Sequence, residues 1–171
     1  VLYYRGTLPQ PDVFTFAIVG TRKNTPYAER VLEKIIPGLV SAGLAIVSGL
    51  ALGIDTLAHK ITLKCGGKTI AVLGGGLDKR TIYPHTNYSL AEEIVARGGA
   101  LISEYPPLFL PTKYTFPARN RIIAGLTRGA LIIQAPEKSG ALITAYSALD
   151  EGRDVYAVPG DITRAESAGS N

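Results

Sequence analysis

The sequence predicts an α/β domain built on a doubly wound, mainly parallel sheet of about six strands with helices on both faces. Three observations carry this. First, six short runs rich in Ile, Val, Leu and Ala recur along the 171 residues: "AIVG" (17–20), "LAIVSG" (44–49), "KTIAVLG" (68–74), "GALISE" (99–104), "GALIIQA" (129–135) and "DVYAVPG" (154–160). Continuous apolar runs of that length suit strands buried on both faces, as in parallel sheets. Second, amphipathic stretches lie between them, at 25–43, 55–66, 87–99, 118–129 and 140–153. Third, glycines stand where each of several runs passes into a helix. Strand-helix alternation of this kind defines an extended Rossmann-like architecture, with ligand sites at the carboxyl ends of the strands.

Taken in order, residues 1–14 precede the first apolar run and are expected to pack on the core as an N-terminal extension. Residues 15–163 form the α/β domain. Four of its five helical stretches end in glycine, a common helix stop. Residues 105–117, "YPPLFLPTKYTFP", hold four prolines and no periodicity. Such a length is unusual inside a compact α/β unit, and it reads either as a functional loop or as a packed surface loop. The closing residues 164–171, "RAESAGSN", are small and polar and read as a frayed tail.

Composition narrows the classes. With 46% hydrophobic and 19% charged residues the chain suits a globular fold rather than a disordered one. No apolar stretch reaches the roughly 18–20 residues of a membrane span, and no signal peptide is visible. The single Cys65 excludes an internal disulfide framework and a multi-cysteine zinc site, so a reducing cytoplasm is expected. Cys65 itself reads as a small half-buried hydrophobe near a helix end. The absence of methionine points to a fragment or processed chain, with neighbouring domains outside it. A net charge of +4 and a pI of 9.2 permit an anionic partner without requiring one.

Gly20-Thr21-Arg22 is the first candidate site. Glycine allows close backbone approach, Thr21 offers a hydroxyl, the following amides point at a bound anion, and the Arg22 fork matches phosphate oxygens. A salt-bridged surface arginine is the plainer reading. "SGLALGID" (48–55) and "LGGGLD" (73–78) are further glycine turns. Asp55 reads as a helix cap, and with His59 one turn away it could form an acid/base pair or simply pack. In "EKSGALITA" (137–145), Ser139 and Gly140 again offer hydroxyl and amides at a helix start. In "TKYTFPARNRIIAG" (112–125), Lys113, Arg119 and Arg121 alternate with Tyr114 and Phe116. Cations there attract phosphate and aromatic faces stack on unpaired bases, against the alternative of a solvated basic face. No metal set, nucleophile elbow or ATP-binding P-loop is present, so neither catalysis nor a cofactor is expected.

The ordered set "LYYRGTLP", "AIVGTR", "SGLALGID", "AVLGGGLD", "YPHTN", "ISEYPP", "FPARNRIIAGLT", "KSGALITA" and "GRDVYAVPGD" resembles the Rossmann-like core of the DNA-processing protein A (DprA/Smf) family over nearly the whole chain. The resemblance implies a non-catalytic protein that binds single-stranded DNA, protects it, helps load RecA recombinase in natural transformation or recombination, and forms homodimers through this core. It places the phosphate grip on Gly20, Thr21 and Arg22, and further DNA contacts on Lys113 and Phe116, with Asn120 and Arg121 beside them. Two departures stand out. Leu52 occupies a position where the family usually has arginine, and a longer segment before "YP" carries Lys79 and Arg80 as a substitute charge. The competing class is the nucleoside-monophosphate phosphoribohydrolases, nucleotide-binding Rossmann enzymes with a PGGxGTxxE signature. The corresponding "APEKSGALITAYSAL" has no carboxylate three or four residues after Thr144 to serve as general acid.

Overall fold

The computed structural model describes residues 1–171. Seven strands form one sheet: β1 (Tyr3–Gly6), β2 (Thr15–Val19), β3 (Ala45–Ser48), β4 (Thr69–Leu73), β5 (Ala100–Ser103), β6 (Gly129–Ile132) and β7 (Asp154–Ala157). Five helices connect them: α1 (Pro26–Ser41), α2 (Ile54–Lys64), α3 (Tyr88–Ala96), α4 (Thr115–Gly125) and α5 (Gly140–Asp150). The strand order is β1-β5-β4-β3-β2-β6-β7. Every pairing is parallel except β1 with β5. The chain winds outward from β2 through β3 and β4 to β5, then returns to place β6 and β7 on the other side of β2. The direction therefore reverses between β2 and β6, which opens a crevice at their carboxyl ends.

Side-chain alternation along the strands divides the core between two faces. Ala17, Val19, Ile70, Val72, Ile102 and Ile132 pack with Ile122, Ile123, Ala141, Ala145 and Ala148 of α4 and α5. On the other face Ile18, Ile46, Leu131 and Ile133 meet Ala28, Leu32 and Ile36 of α1 and Ile54 and Ala58 of α2. Ala71, Leu73 and Leu101 meet Leu90, Ala91 and Ile94 of α3. The 28-32-36 spacing puts three apolar side chains on one face of α1, and Thr25 caps that helix by accepting from the Ala28 amide at 3.4 Å. Withdrawing Leu32 or Ile36 from water stabilises the fold by about 1.5–3 kcal/mol each, and Ala28 by less.

Four features differ from the sequence reading. The six apolar runs are all strands, but β1 adds a seventh at the sheet edge. Its "YYRG" alternates half-buried and exposed positions, the pattern of an antiparallel edge, which a search for continuous apolar runs passes over. Helix α4 begins at Thr115, inside the stretch read as loop, and stops at Gly125 rather than 129. Pro117 is compatible with this because the first turn has no intrahelical partner for its amide. The segment 164–171 is packed rather than frayed. Ser167 is buried, the Gly169 amide donates to the Ala135 carbonyl at 2.8 Å, and Asn171 Oδ1 accepts from the Gly160 amide at 2.8 Å. Small residues allow that approach, since a Cβ on Gly169 would meet the Pro136 carbonyl at 2.6 Å. Cys65 does lie near a helix end, at the C-cap of α2, but it is exposed rather than half-buried. No helix is long and apolar enough to cross a membrane.

Candidate nucleic-acid interface

Parallel pairing brings the turns after β2, β3, β4 and β6 to the same edge of the sheet. The turn after β2 is clamped from both sides. The Thr21 amide donates to the Gln134 carbonyl at 2.7 Å, and the Ile54 amide donates to the Thr21 carbonyl at 3.1 Å. Gly53 makes room for this, with φ at +78° and an ideal Cβ only 2.4 Å from the Thr21 carbonyl oxygen. Thr21 is buried and its hydroxyl accepts from the Lys23 amide at 3.1 Å. The Thr21 amide is therefore spent on the fold and does not face an anion, contrary to the sequence expectation. What the clamp presents outward is Arg22, exposed, with its guanidinium carbon 5.6 Å from the centre of the Phe116 ring.

The next two turns are filled by the protein itself. At Gly49 the amide donates to Asp55 Oδ2 at 3.0 Å, and the carbonyl accepts from Arg119 Nη1 at 2.8 Å. Arg119 also donates to the Val72 carbonyl and to Asn120 Oδ1. A Cβ on Gly49 would lie 2.5 Å from this guanidinium. Arg119 thus serves as a buried bolt between β3 and β4, so although it borders the cleft its guanidinium is taken up by backbone carbonyls rather than free for the phosphate contact the sequence reading gave it. Burial lowers its pKa to about 10, while Asp55 nearby opposes that shift. Burial likewise raises the Asp55 carboxyl above its ordinary value, against the pull of Arg119. Asp55 is not the helix cap, a position held by Gly53, and it is not paired with His59.

His59 lies fully buried with Nδ1 2.7 Å from Thr69 Oγ1. Since Thr69 donates its hydroxyl proton to the Ile46 carbonyl, His59 must donate from Nδ1, which leaves Nε2 unprotonated and without a partner. Burial, assisted by Arg119, pushes its pKa down to about 3. At the turn after β4 the proline loop takes the place a ligand would need. Gly76 donates to the Phe109 carbonyl at 2.8 Å, and a Cβ there would meet the Pro107 carbonyl at 2.1 Å.

The turns after β2 and β6 remain open and border one cleft of about 750 Å³ at the point where the strand order reverses. Of the residues expected in the site, Gly20, Thr21, Arg22, Lys113, Phe116, Arg119, Asn120, Ser139 and Gly140 line it, Arg119 as part of its buried wall. Helix α5 opens into it. Ser139 caps that helix by accepting from the Ala141 amide at 3.2 Å, and Asn120 Nδ2 donates to the Gly140 carbonyl at 3.0 Å. A helix N-terminus favours an anion through its free amides and its dipole. Arg22, Lys23, Lys113 and Lys138 surround it, all exposed and none in an ion pair. Lys113 Nζ lies 5.0 Å from the centre of the exposed Tyr114 ring.

Arg121 does not join this group. One residue beyond Asn120 on α4, it leaves the cleft and pairs with Glu104. Arg80 is also withdrawn, held by Asp78 at 2.7 Å, and neither it nor Lys79 lines the cleft, so they do not substitute for a charge at Leu52. The sequence reading passed over Lys23, Lys138 and Tyr83, all of which line the cleft. Lys23 and Lys138 stand beside the glycine turns, and Tyr83 opens "YPHTN", so position next to the motifs was the available signal. No group of three His, Cys, Asp or Glu side chains gathers in a way that would hold a metal ion.

Fold and site together define a Rossmann-like domain with a basic, aromatic-edged cleft at its switch point. Similarity to known proteins makes the assignment specific. The family model for DNA recombination-mediator protein A matches residues 1–171, and the chain belongs to that family. It is 45% identical over 168 residues to Protein Smf of Escherichia coli K12, covering 98% of this chain and 44% of that protein. It superposes on the X-ray structure of DNA processing protein A from Streptococcus pneumoniae with a TM-score of 0.90 at 47% identity, covering 99% of this chain and 58% of the other. With DNA processing protein A from Helicobacter pylori, whose structure concerns its single-stranded DNA binding mode, the TM-score is 0.87 at 34% identity over 98% of this chain and 75% of that one. The chain spans about half the length of the curated relatives it matches.

Proposed function

We propose that this domain binds single-stranded DNA along the switch-point cleft, without catalysis. The observation that carries this reading is four unpaired cations around the N-terminus of α5, beside the aromatic edge formed by Phe116 and Tyr83. Cations grip any phosphate backbone, and exposed aromatic faces take unpaired bases regardless of sequence. The Helicobacter relative's single-stranded DNA binding mode supports the same reading. Gly20 and Thr21 shape the turn that aims Arg22, and Asn120 holds the start of α5, while Arg22, Lys113, Ser139 and Gly140 face the strand. The one carboxylate lining the cleft, Asp55, is buried and engaged by the Gly49 amide, which disfavours the phosphoribohydrolase alternative.

The test is binding to oligo-dT compared with duplex of equal length across a salt series. Single strand binds more tightly, and log affinity falls with log salt by about 0.7 per phosphate neutralised. Arg22→Ala and Lys113→Ala each flatten that slope by roughly one contact, whereas Lys60→Ala, exposed on α2, leaves it unchanged. Equal binding by all these variants overturns the site, and release of adenine from AMP would revive the enzyme reading.

The protective role, RecA loading and cytoplasmic location belong to the whole protein and are inferred from the family resemblance. Homodimerisation is inferred as well. Ile143, Tyr146 and Leu149 lie along one exposed side of α5, the helix packed beside edge strand β7, and supply an apolar face at that end of the domain. Sedimentation of a monomer at tens of micromolar would remove that inference for this chain.

A further inference from the structure

We propose that Tyr83, flanked by Leu52, is a second base-stacking platform, so that the cleft holds two neighbouring unpaired nucleobases apart from each other. This rests on the single-stranded DNA reading above. Tyr83 comes from the segment after β4 and Phe116 from α4, yet their rings stand 5.6 Å apart at an angle of 45°. Phe116 is half-buried, seated over Gly74, where a Cβ would come within 2.8 Å of its ring. Tyr83 instead leaves 56% of its surface in water, and Leu52 leaves 48%. Both border a shallow hollow with Pro84 and Phe116, and Arg22 stands at its margin. No carboxylate lines that hollow.

The platform is braced from below. Buried Asn87, four residues after Tyr83, donates to the Leu50 carbonyl at 2.9 Å and to Thr56 Oγ1 at 2.7 Å. These bonds tie the segment carrying Tyr83 to the turn carrying Leu52, so two exposed apolar side chains are held in a fixed relation. Neighbouring bases in a duplex are stacked in parallel about 3.4 Å apart. Two rings 5.6 Å apart and tilted by 45° do not fit that arrangement. They fit a strand whose adjacent bases have come unstacked, each meeting its own ring while Arg22 holds the phosphate near them. Stacking on a ring face uses no base edge, so the seat tolerates any sequence and rejects paired bases.

The experiment titrates the protein with oligo-dT and with an abasic oligonucleotide of the same length, which has the phosphates but no bases. Tyr83→Ala weakens oligo-dT binding about 5- to 150-fold, leaves abasic binding and the salt slope unchanged, and still weakens oligo-dT binding in a Phe116→Ala background. Tyr83→Phe keeps the parent affinity because the ring remains. Equal loss on both probes would make Tyr83 a structural residue and overturn the proposal. So would no loss on oligo-dT, or a loss that disappears once Phe116 is gone. Arg22→Ala keeps the two failures apart: it weakens both probes if the cleft grips the backbone, and leaves both unchanged only if the underlying reading is wrong.

Discussion

Four strand-to-helix turns share one edge of this sheet, and they divide into two pairs. After β3 and β4, residues 106–119 reach back into the turns, with Arg119 bonded to Gly49 and Val72 and the proline loop pressed onto Gly75 and Gly76. After β2 the chain packs on Gly20, where a Cβ would meet Ile54 at 2.6 Å, but Arg22 just beyond it faces the cleft; after β6, Gly140 meets nothing within 4 Å, and unpaired cations border the cleft there. The glycines look alike in all four. A glycine marks a place where something can approach the backbone closely; at Gly20, Gly49 and Gly76 that something is the protein's own chain, and at Gly140 the space is left open beside the cleft.

The comparison breaks most visibly at Arg119. Replacing it with Ala removes a buried cation that satisfies two carbonyls and faces Asp55, at an expected cost of about 3–5 kcal/mol. For a domain this size that lowers the melting temperature on the order of 10 °C. A melting point equal to the parent's would show that the β3 turn is not closed by this side chain.

Glycine substitutions sharpen the contrast. Gly76→Ala puts a methyl 2.1 Å from the Pro107 carbonyl oxygen, and overpacking of this kind costs about 1–3 kcal/mol. Gly140→Ala meets nothing within 4 Å, so stability stays within about 0.5 kcal/mol. Single-stranded DNA affinity should fall for Gly140→Ala, since the methyl enters the open cleft. Chemical denaturation and a binding titration on both variants separate the filled turn from the open one.

The filled side also predicts a pH effect. Folded His59 resists protonation until about pH 3, whereas the unfolded chain takes up that proton near 6.5. Its contribution to stability is therefore present above 6.5 and lost as pH falls toward 3. Asp55 acts in the opposite sense. Its raised pKa keeps a proton in the fold above 3.8, so its contribution is present below that value and lost as pH rises through the folded pKa. His59→Gln isolates the first effect, changing the slope of stability between pH 6.5 and 5 by about 1.4 kcal/mol per pH unit. Denaturation midpoints of parent and variant at several pH values measure it, and parallel curves would count against a neutral buried His59.

The smallest effect belongs to Arg121. An exposed pair with Glu104 contributes about 0–1 kcal/mol, so Arg121→Ala should barely move the melting curve. It should also leave the salt slope of DNA binding alone, unlike Arg22→Ala. A slope change as large as that of Arg22 would put Arg121 back on the DNA path.

Six of the seven strands, the order of the helices and the common edge of the glycine turns were legible in the sequence, because apolar runs and helical periodicity are set by local burial. So were Arg22, Lys113 and Phe116 as cleft residues, since cations and aromatics beside turns at a sheet's carboxyl edge stand where such folds bind ligands. Tertiary structure alone decided the direction of each neighbouring side chain on α4. Arg119 and Arg121 are two residues apart in one basic segment, and a helix turns about 100° per residue. One guanidinium therefore points into the sheet to satisfy carbonyls, and the other points away to Glu104. The same geometry set Tyr83 beside Phe116, more than 30 residues away in sequence, through a sheet edge that no local pattern encodes.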